Sequence, residues 1–396
     1  MENMDEIVII GAGLAAVTAA ESLREEGFVG ELTMIGKERH RPYERPPLSK
    51  EFLAGQQPID DAYLFGADWF TDHDVRLRSG VTATALDLDA GRIGLDSGEW
   101  LGFDAAILAT GAEPRVLELP GVERAHLLRT IEDAQRLRRA IEAGRRMVIV
   151  GGGWIGLEVA AVARAAGLEV VLIEQGPLPL QQVLGERVAR YVADLHLRHG
   201  VDVRTGTAVE EILDDGERVT GVRATDETLP ADIVVMAVGA TPRTGLAESA
   251  GLPVGDGVEV DERLRTADER IFAVGDIAAA SNTLLETRLR VEHWDNARRQ
   301  GELVGKTVLG GTAVYDWAPY FFTDQFEFSM EYVGHGSPDD EVEIRGDLDA
   351  HEFIAYWMGG DGQLTAAMNV GIWDVNDTLR SMIGTRVDRT ELTDLR

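Results

Sequence analysis

The stretch EIVIIGAGLAA, residues 6–16, decides the fold. EIVII is short, apolar and rich in β-branched side chains, with no polar alternation. That is how a strand covered on both faces reads. The run breaks at Gly11, and Gly11, Gly13 and Ala16 fall at the G-x-G-x-x-G/A spacing. Gly11 permits a tight turn, Gly13 lets the backbone approach a pyrophosphate, and Ala16 keeps helix and strand close. VTAAESLREEG then carries apolar residues at helical spacing and stops at Gly27, and ELTMIG supplies a second strand. Strand, glycine turn, helix and strand in this order leave free N–H groups at the helix start, facing a phosphate.

The pattern recurs. MVIV at 147–150 runs into GGGWIG at 151–156, then LEVAAVARAAG, then LEVVLIE ending at Glu174. Gly151, Gly153, Ile155 and Gly156 are the cofactor-binding positions of this second turn. Glu174 lies 23 residues after Gly151, at the end of the second strand. An acid there accepts hydrogen bonds from a ribose hydroxyl. AILATGAEPR (106–115) closes the first unit and VVMAVGATPR (234–243) the second, each a strand followed by a glycine and then a proline. Thr110, Gly111 and Gly239 are the candidate contacts in these closing turns. RIFAVGDIA (270–278) ends a further strand in Gly275–Asp276, and Asp276 is a candidate acceptor for a polyol chain. The fold class is α/β, with two dinucleotide sites of the same build. The plain alternative is two ordinary α/β units whose glycines serve only turns.

Length and composition agree. A chain of 396 residues implies two or three domains. It holds no uncharged apolar run of about 18 residues, so no membrane span is expected. MENMDE leads straight into the first strand without a basic region, which points to the cytoplasm. The absence of cysteine excludes disulfides, thiolate metal sites and redox dithiols within this chain. The eight histidines are not clustered, so no protein-bound metal is expected. A net charge of −31 argues against nucleic-acid binding. Solubility, salt adaptation and a compositional bias all account for it equally.

RPYERPPLSK, residues 41–50, reads as a stiff, shaped loop, neither helix nor strand, because each proline fixes φ and removes a donor. It ends on Lys50, one of only three lysines against thirty-five arginines.

GAGLAA, RPPLSK, LATGAEPR, GGGWIGLE, AVGATPR and FAVGDIA occur in that order, followed by PYFFTDQF (319–326) and MNVGIWDVND (368–377). Through these motifs the chain resembles FAD-dependent pyridine-nucleotide oxidoreductases of the glutathione-reductase-like fold. Within them it is similar to the ferredoxin reductases that serve Rieske-type oxygenases and bacterial haem monooxygenases. The resemblance implies two Rossmann-like dinucleotide-binding domains and a C-terminal α+β domain. The FAD-binding domain would take residues 1–115 and 242–315, the NAD-binding domain 116–241, and the C-terminal interface domain 316–396. It implies FAD and NADH as cofactors, a [2Fe-2S] ferredoxin as partner, and a monomer or homodimer. The implied reaction is hydride transfer from NADH to the flavin, then two single-electron transfers to the ferredoxin.

The same resemblance assigns residues. Lys50 would stand beside the isoalloxazine and Glu158 near the nicotinamide, pairing with Lys50; these are the catalytic candidates. Arg45 would meet the pyrophosphate, Arg129 would contact FAD, and Ala15 and Ala83 would make backbone contacts. Trp294 would line the flavin pocket, or else serve as core filler. Two departures stand out. The family often has an acid directly after the glycine that ends the second strand; here Gly36 is followed by Lys37 and then Glu38, so either Glu38 holds the FAD ribose or Lys37 makes another adenosine contact. Gln181 and Gln182 stand where the family often has arginine, so a cation for a 2′-phosphate is missing there and NADH is expected over NADPH.

Two other functions fit the same motifs: a cysteine-independent NADH oxidase, and an NADH-sensing protein like the apoptosis-inducing-factor relatives. Arg288, Arg290, Arg298 and Arg299 cluster around Trp294. They either form a docking patch for an acidic ferredoxin or pair with Glu286, Glu292, Asp295 and Glu302.

Overall fold

The computed structural model describes residues 4–395. The chain divides into two compact units. The first takes the chain as far as Glu44, then Ala62–Glu113 and Thr241–Pro319. The second takes Arg45–Asp61, Pro114–Ala240 and everything described from Tyr320 onward.

In the first unit five parallel strands lie in the order Ile271–Ala273, Ala105–Leu108, Glu6–Ile10, Glu31–Gly36, Val75–Ser79. Ile7, Val8 and Ile9 are fully buried, which is why EIVII shows no alternation. The helix Leu14–Glu25 packs on the helix Trp294–Val308 through small residues. A methyl group on Gly301 would stand 2.7 Å from the Ala15 carbonyl oxygen, so the two backbones meet almost directly. The Ser22 hydroxyl donates to the Glu302 carbonyl at 2.9 Å and fixes their register. An antiparallel meander of Ala83–Asp87, Arg92–Leu95 and Trp100–Gly102 and a four-stranded sheet of Val254–Gly255, Gly257–Val260, Ala278–Asn282 and Thr287–Arg290 also belong to the unit.

The second unit repeats the plan. Its parallel strands run Val201–Arg204, Glu169–Ile173, Arg146–Val150, Ile233–Met236. As in the first unit, the strand after the helix lies on one side of the opening strand and the closing strand on the other. A meander of Val209–Asp214, Val219–Ala224 and Thr228–Pro230 again precedes the closing strand. The C-terminal part is an antiparallel sheet in the order Tyr320–Gln325, Phe328–Gly334, Leu364–Val370, Glu352–Met358, Glu341–Asp347, with the helix Asn376–Met382. Phe328, Phe353, Tyr356 and Trp357 fill its core. Two parallel dinucleotide-type sheets and an α+β C-terminal domain are therefore present.

One local expectation changes. Residues 46–49 are not a plain loop: Pro46–Ser49 form a single 3-10 turn. Both prolines occupy its first positions, where no intrahelical N–H is needed. The Lys50 amide closes the turn by donating to the Pro47 carbonyl at 3.1 Å. Among the described residues no helix is long and apolar enough to cross a membrane.

Candidate functional site

In the first unit, Gly11 has φ +137°, and any side chain there would collide with the Ala109 carbonyl. Glycine is thus forced where the strand turns. Two residues on, Gly13 caps the helix Leu14–Glu25 with ordinary extended backbone and no side-chain cap, and the first turn carries no acid. A Cβ on Gly13 would meet no protein atom within 4 Å. Open space before an uncapped helix N-terminus suits a pyrophosphate, since the unpaired N–H groups and the helix dipole both favour an anion. Ala15 and Ala16 are buried beneath this turn.

The other first-unit candidates surround the strand ends. Beyond Gly36, Lys37 is exposed, whereas Glu38 accepts a hydrogen bond from the Tyr43 hydroxyl at 2.5 Å. Of the two, Glu38 has a fixed carboxylate. Thr110 donates to the Arg243 carbonyl at 3.0 Å, and the Arg243 amide donates to the Gly111 carbonyl at 2.9 Å. The buried Gln300 side chain accepts from the Gly275 amide at 2.8 Å and holds the turn that presents Asp276. Asp276 is partly buried, and Ala83 opens the outer meander. Trp294 is the first residue of its helix and partly buried, with the Arg298 guanidinium 5.8 Å above its ring.

In the second unit, Gly153 caps the helix Trp154–Ala165, again without a side-chain cap or an acid in the first turn. Gly151 has φ +104°, and the space beside Gly156 is filled by the Gly151 carbonyl. Ile155 is 43% exposed on the helix start. The Glu174 carboxylate is clamped: one oxygen accepts from the Gly152 amide at 2.8 Å, the other from the Gly176 amide at 2.6 Å. Gly239 turns the chain with φ +97°, and its carbonyl accepts from the Arg115 amide at 2.9 Å. Arg45 donates to the Arg129 carbonyl, so these two arginines, 84 residues apart, stand together.

Lys50 and Glu158 also meet in this unit. The ammonium lies 3.0 Å from Glu158 Oε1, and the two side chains are only 10% and 7% exposed. Burying two charges is costly unless they are paired and further hydrogen-bonded. Both conditions hold. Ser49 donates to Glu158 Oε2 at 2.5 Å and Thr323 donates to Oε1 at 2.6 Å. The Phe322 ring lies 5.0 Å from the ammonium, within cation–π range. The sequence reading missed Ser49, Phe322 and Thr323. The available signal was the alternation of YFFTDQ, which puts a hydroxyl and an amide at Thr323 and Gln325 on one face of a strand.

The arginines near Trp294 are engaged locally. Arg288 reaches Glu259 at 3.6 Å, Arg290 reaches Asp256 at 3.2 Å and also Glu292, Arg298 reaches Glu302 at 3.0 Å, and Arg299 reaches Asp295 at 3.4 Å. Three of the four expected acids, Glu292, Asp295 and Glu302, take part, Glu259 and Asp256 join them, and among the described residues Glu286 is not a partner of these arginines. Among the described residues, no group of three or more His, Cys, Asp or Glu side chains is placed to hold a metal ion.

Comparison with known proteins agrees with this geometry. A family model described as pyridine nucleotide-disulphide oxidoreductase matches residues 5–301, and one described as reductase C-terminal matches residues 320–396. The chain is 37% identical to putidaredoxin reductase of Pseudomonas putida, over 91% of this chain and 87% of that protein. It is 36% identical to the ferredoxin–NAD(+) reductase component of an anthranilate 1,2-dioxygenase system of Burkholderia cepacia, over 99% and 98% of the two chains. The solved covalent putidaredoxin reductase–putidaredoxin complex matches with a TM-score of 0.93 and 34% identity, over 97% of this chain and 94% of that one. With two uncapped glycine turns of the dinucleotide-binding type and a matching C-terminal domain, the chain belongs to the FAD-dependent pyridine nucleotide-disulphide oxidoreductase family, among the relatives of the ferredoxin reductases of oxygenase systems.

Proposed function

We propose that this chain is an NADH-dependent ferredoxin reductase, working in the cytoplasm and feeding a [2Fe-2S] ferredoxin that serves a Rieske-type oxygenase or a haem monooxygenase. The observation that carries the reading is the buried Lys50–Glu158 pair in a chain without cysteine. Relatives that reduce disulfides or peroxides need a redox thiol. This chain has no thiol and instead buries a paired cation at Lys50. FAD, when bound, accepts a hydride from NADH and gives up its electrons singly.

The chain's own residues do the rest. In the domain of residues 1–115 and 242–315, Gly11, Gly13, Ala15 and Ala16 receive the FAD pyrophosphate. Glu38 holds the ribose, Asp276 the polyol chain and Trp294 the pyrimidine end, with Ala83, Thr110 and Gly111 along the way. In residues 116–241, Gly151, Gly153, Ile155, Gly156 and Gly239 line the NADH site, and Glu174 accepts from the adenosine ribose. Arg45 and Arg129 form a paired cationic contact for FAD. Lys50 favours the electron-rich form of the ring by its charge, and Glu158 keeps that charge in one place. The domain of residues 316–396 contributes to the partner surface.

Anaerobic mixing of the holoenzyme with NADH and a [2Fe-2S] ferredoxin tests the function. Bleaching of the ferredoxin at two equivalents per NADH is expected. An unreduced ferredoxin, with peroxide formed in step with NADH loss under air, would support the oxidase instead.

A further inference from the structure

Behind the Lys50–Glu158 pair lies a line of buried polar groups that hydride transfer does not itself require. Thr323 and Gln325 are each 1% exposed and His196 is fully buried. Gln325 Nε2 lies 3.2 Å from Thr323 Oγ1, and Gln325 Oε1 lies 2.9 Å from His196 Nε2. The three residues come from two elements of the second unit, the strand Tyr320–Gln325 and the helix Gln181–Arg198.

We infer that Thr323, aimed by Gln325 and His196, is a positioning residue for the Lys50–Glu158 pair, at the end of a hydrogen-bond chain of fixed direction. The inference rests on the proposed role of that pair. The direction follows from donor counting. The Glu158 carboxylate, paired with Lys50, only accepts. The single Thr323 hydroxyl proton therefore goes to Glu158 Oε1 at 2.6 Å. Thr323 then has only lone pairs to offer Gln325, so the Gln325 amide nitrogen donates to it. That leaves the Gln325 oxygen facing His196, whose Nε2 must carry the proton. Burial pushes the His196 pKa down to about 4, so the ring is neutral with one N–H, and Nδ1 is buried without a partner. Reversing any link would set two donors or two acceptors against each other in a dry interior.

The consequence is a carboxylate that cannot turn. Oε1 is held by Lys50 and Thr323, Oε2 by Ser49. Among the described residues Lys50 is the only charged side chain within ion-pair distance of Glu158. Rotation of the carboxylate would break bonds to both the 3-10 turn and the C-terminal sheet. The C-terminal sheet thus takes part in holding the Lys50 charge.

The test compares holoenzymes of the parent, Thr323→Val, Thr323→Ser, Gln325→Met and Glu158→Gln. Stopped-flow reduction by NADH gives the limiting rate and the apparent Kd, and thermal midpoints are measured in parallel. Thr323→Val should lower the limiting rate about three- to tenfold, the equivalent of one ordinary hydrogen bond because Lys50 and Ser49 still hold Glu158, with the Kd within about twofold. Thr323→Ser should recover the rate, and Gln325→Met should fall between. The midpoint loss caused by Thr323→Val should shrink to less than about half in the Glu158→Gln background, since the coupling is then removed. A parent-like rate and an undiminished midpoint loss for Thr323→Val would overturn the inference, provided Glu158→Gln is slow. A parent-like rate for Glu158→Gln would instead overturn the role of the pair itself. If Thr323→Val does not fold, Gln325→Met decides, and a parent-like rate there overturns the inference.

Discussion

If Glu174 accepts from the adenosine ribose as proposed, it should set the choice between NADH and NADPH, and Glu174→Gln tests it. Its two carboxylate oxygens are clamped by the Gly152 and Gly176 amides at 2.8 and 2.6 Å. A free glutamate would swing away from a 2′-phosphate; this one cannot without breaking both bonds. Two unit charges about 5 Å apart repel by roughly 3 kcal/mol at an effective dielectric constant of about 20. Glu174 is partly exposed, so solvent screening brings this to about 2 kcal/mol. Neither Gln175 nor Gly176 offers a cation in return. The parent should therefore favour NADH over NADPH by roughly 30-fold or more in kcat/KM. Glu174→Gln removes the charge, and the ratio should fall by roughly tenfold or more, mainly through a lower KM for NADPH. Its amide nitrogen cannot accept from a backbone N–H, so one clamp is lost at a cost of about 1–3 kcal/mol and the thermal midpoint drops by several degrees. The assay is flavin reduction under anaerobic conditions with each nucleotide. A parent that uses both nucleotides equally, or a variant with an unchanged ratio, refutes the reasoning.

Gly13→Val should fold with a normal circular-dichroism spectrum, since its Cβ meets no protein atom within 4 Å, yet lose most of its FAD; normal flavin content would refute the phosphate assignment. Lys50→Met should still bind FAD but lower the flavin potential and slow reduction by NADH about tenfold or more, because the cation favouring the reduced ring is gone; potentiometry and stopped flow check this. His196 titrates near about 4 when folded and near 6.5 when unfolded, so below the unfolded value the unfolded chain binds the extra proton and stability falls with pH. Between about pH 7 and pH 5 this amounts to about 2 kcal/mol, and His196→Gln should flatten the pH slope of the urea midpoint by that much relative to the parent.

The two nucleotide-type units were legible because what makes them is local. A buried parallel strand, a glycine that must turn and a helix of small residues all lie within about thirty consecutive positions, and the period of the side chains reports which faces are covered. The charge and cysteine counts likewise belong to the sequence alone, and they narrow the chemistry by themselves. Packing decided the rest. Whether Lys37 or Glu38 is the anchored residue depended on Tyr43 reaching back to Glu38. The arginines around Trp294 read equally well as a docking patch or as paired groups, and the pairing with Asp256 and Glu259, drawn in from another strand region, is visible only in the fold. The largest gap was around Glu158. Thr323 lies 165 residues away in the chain and Ser49 lies 109 away, and no periodicity links them. A strand pattern states only that Thr323 faces inward. Which buried acceptor it meets is chosen when distant segments close around a charge, because that charge must find all of its donors inside the protein once water is excluded.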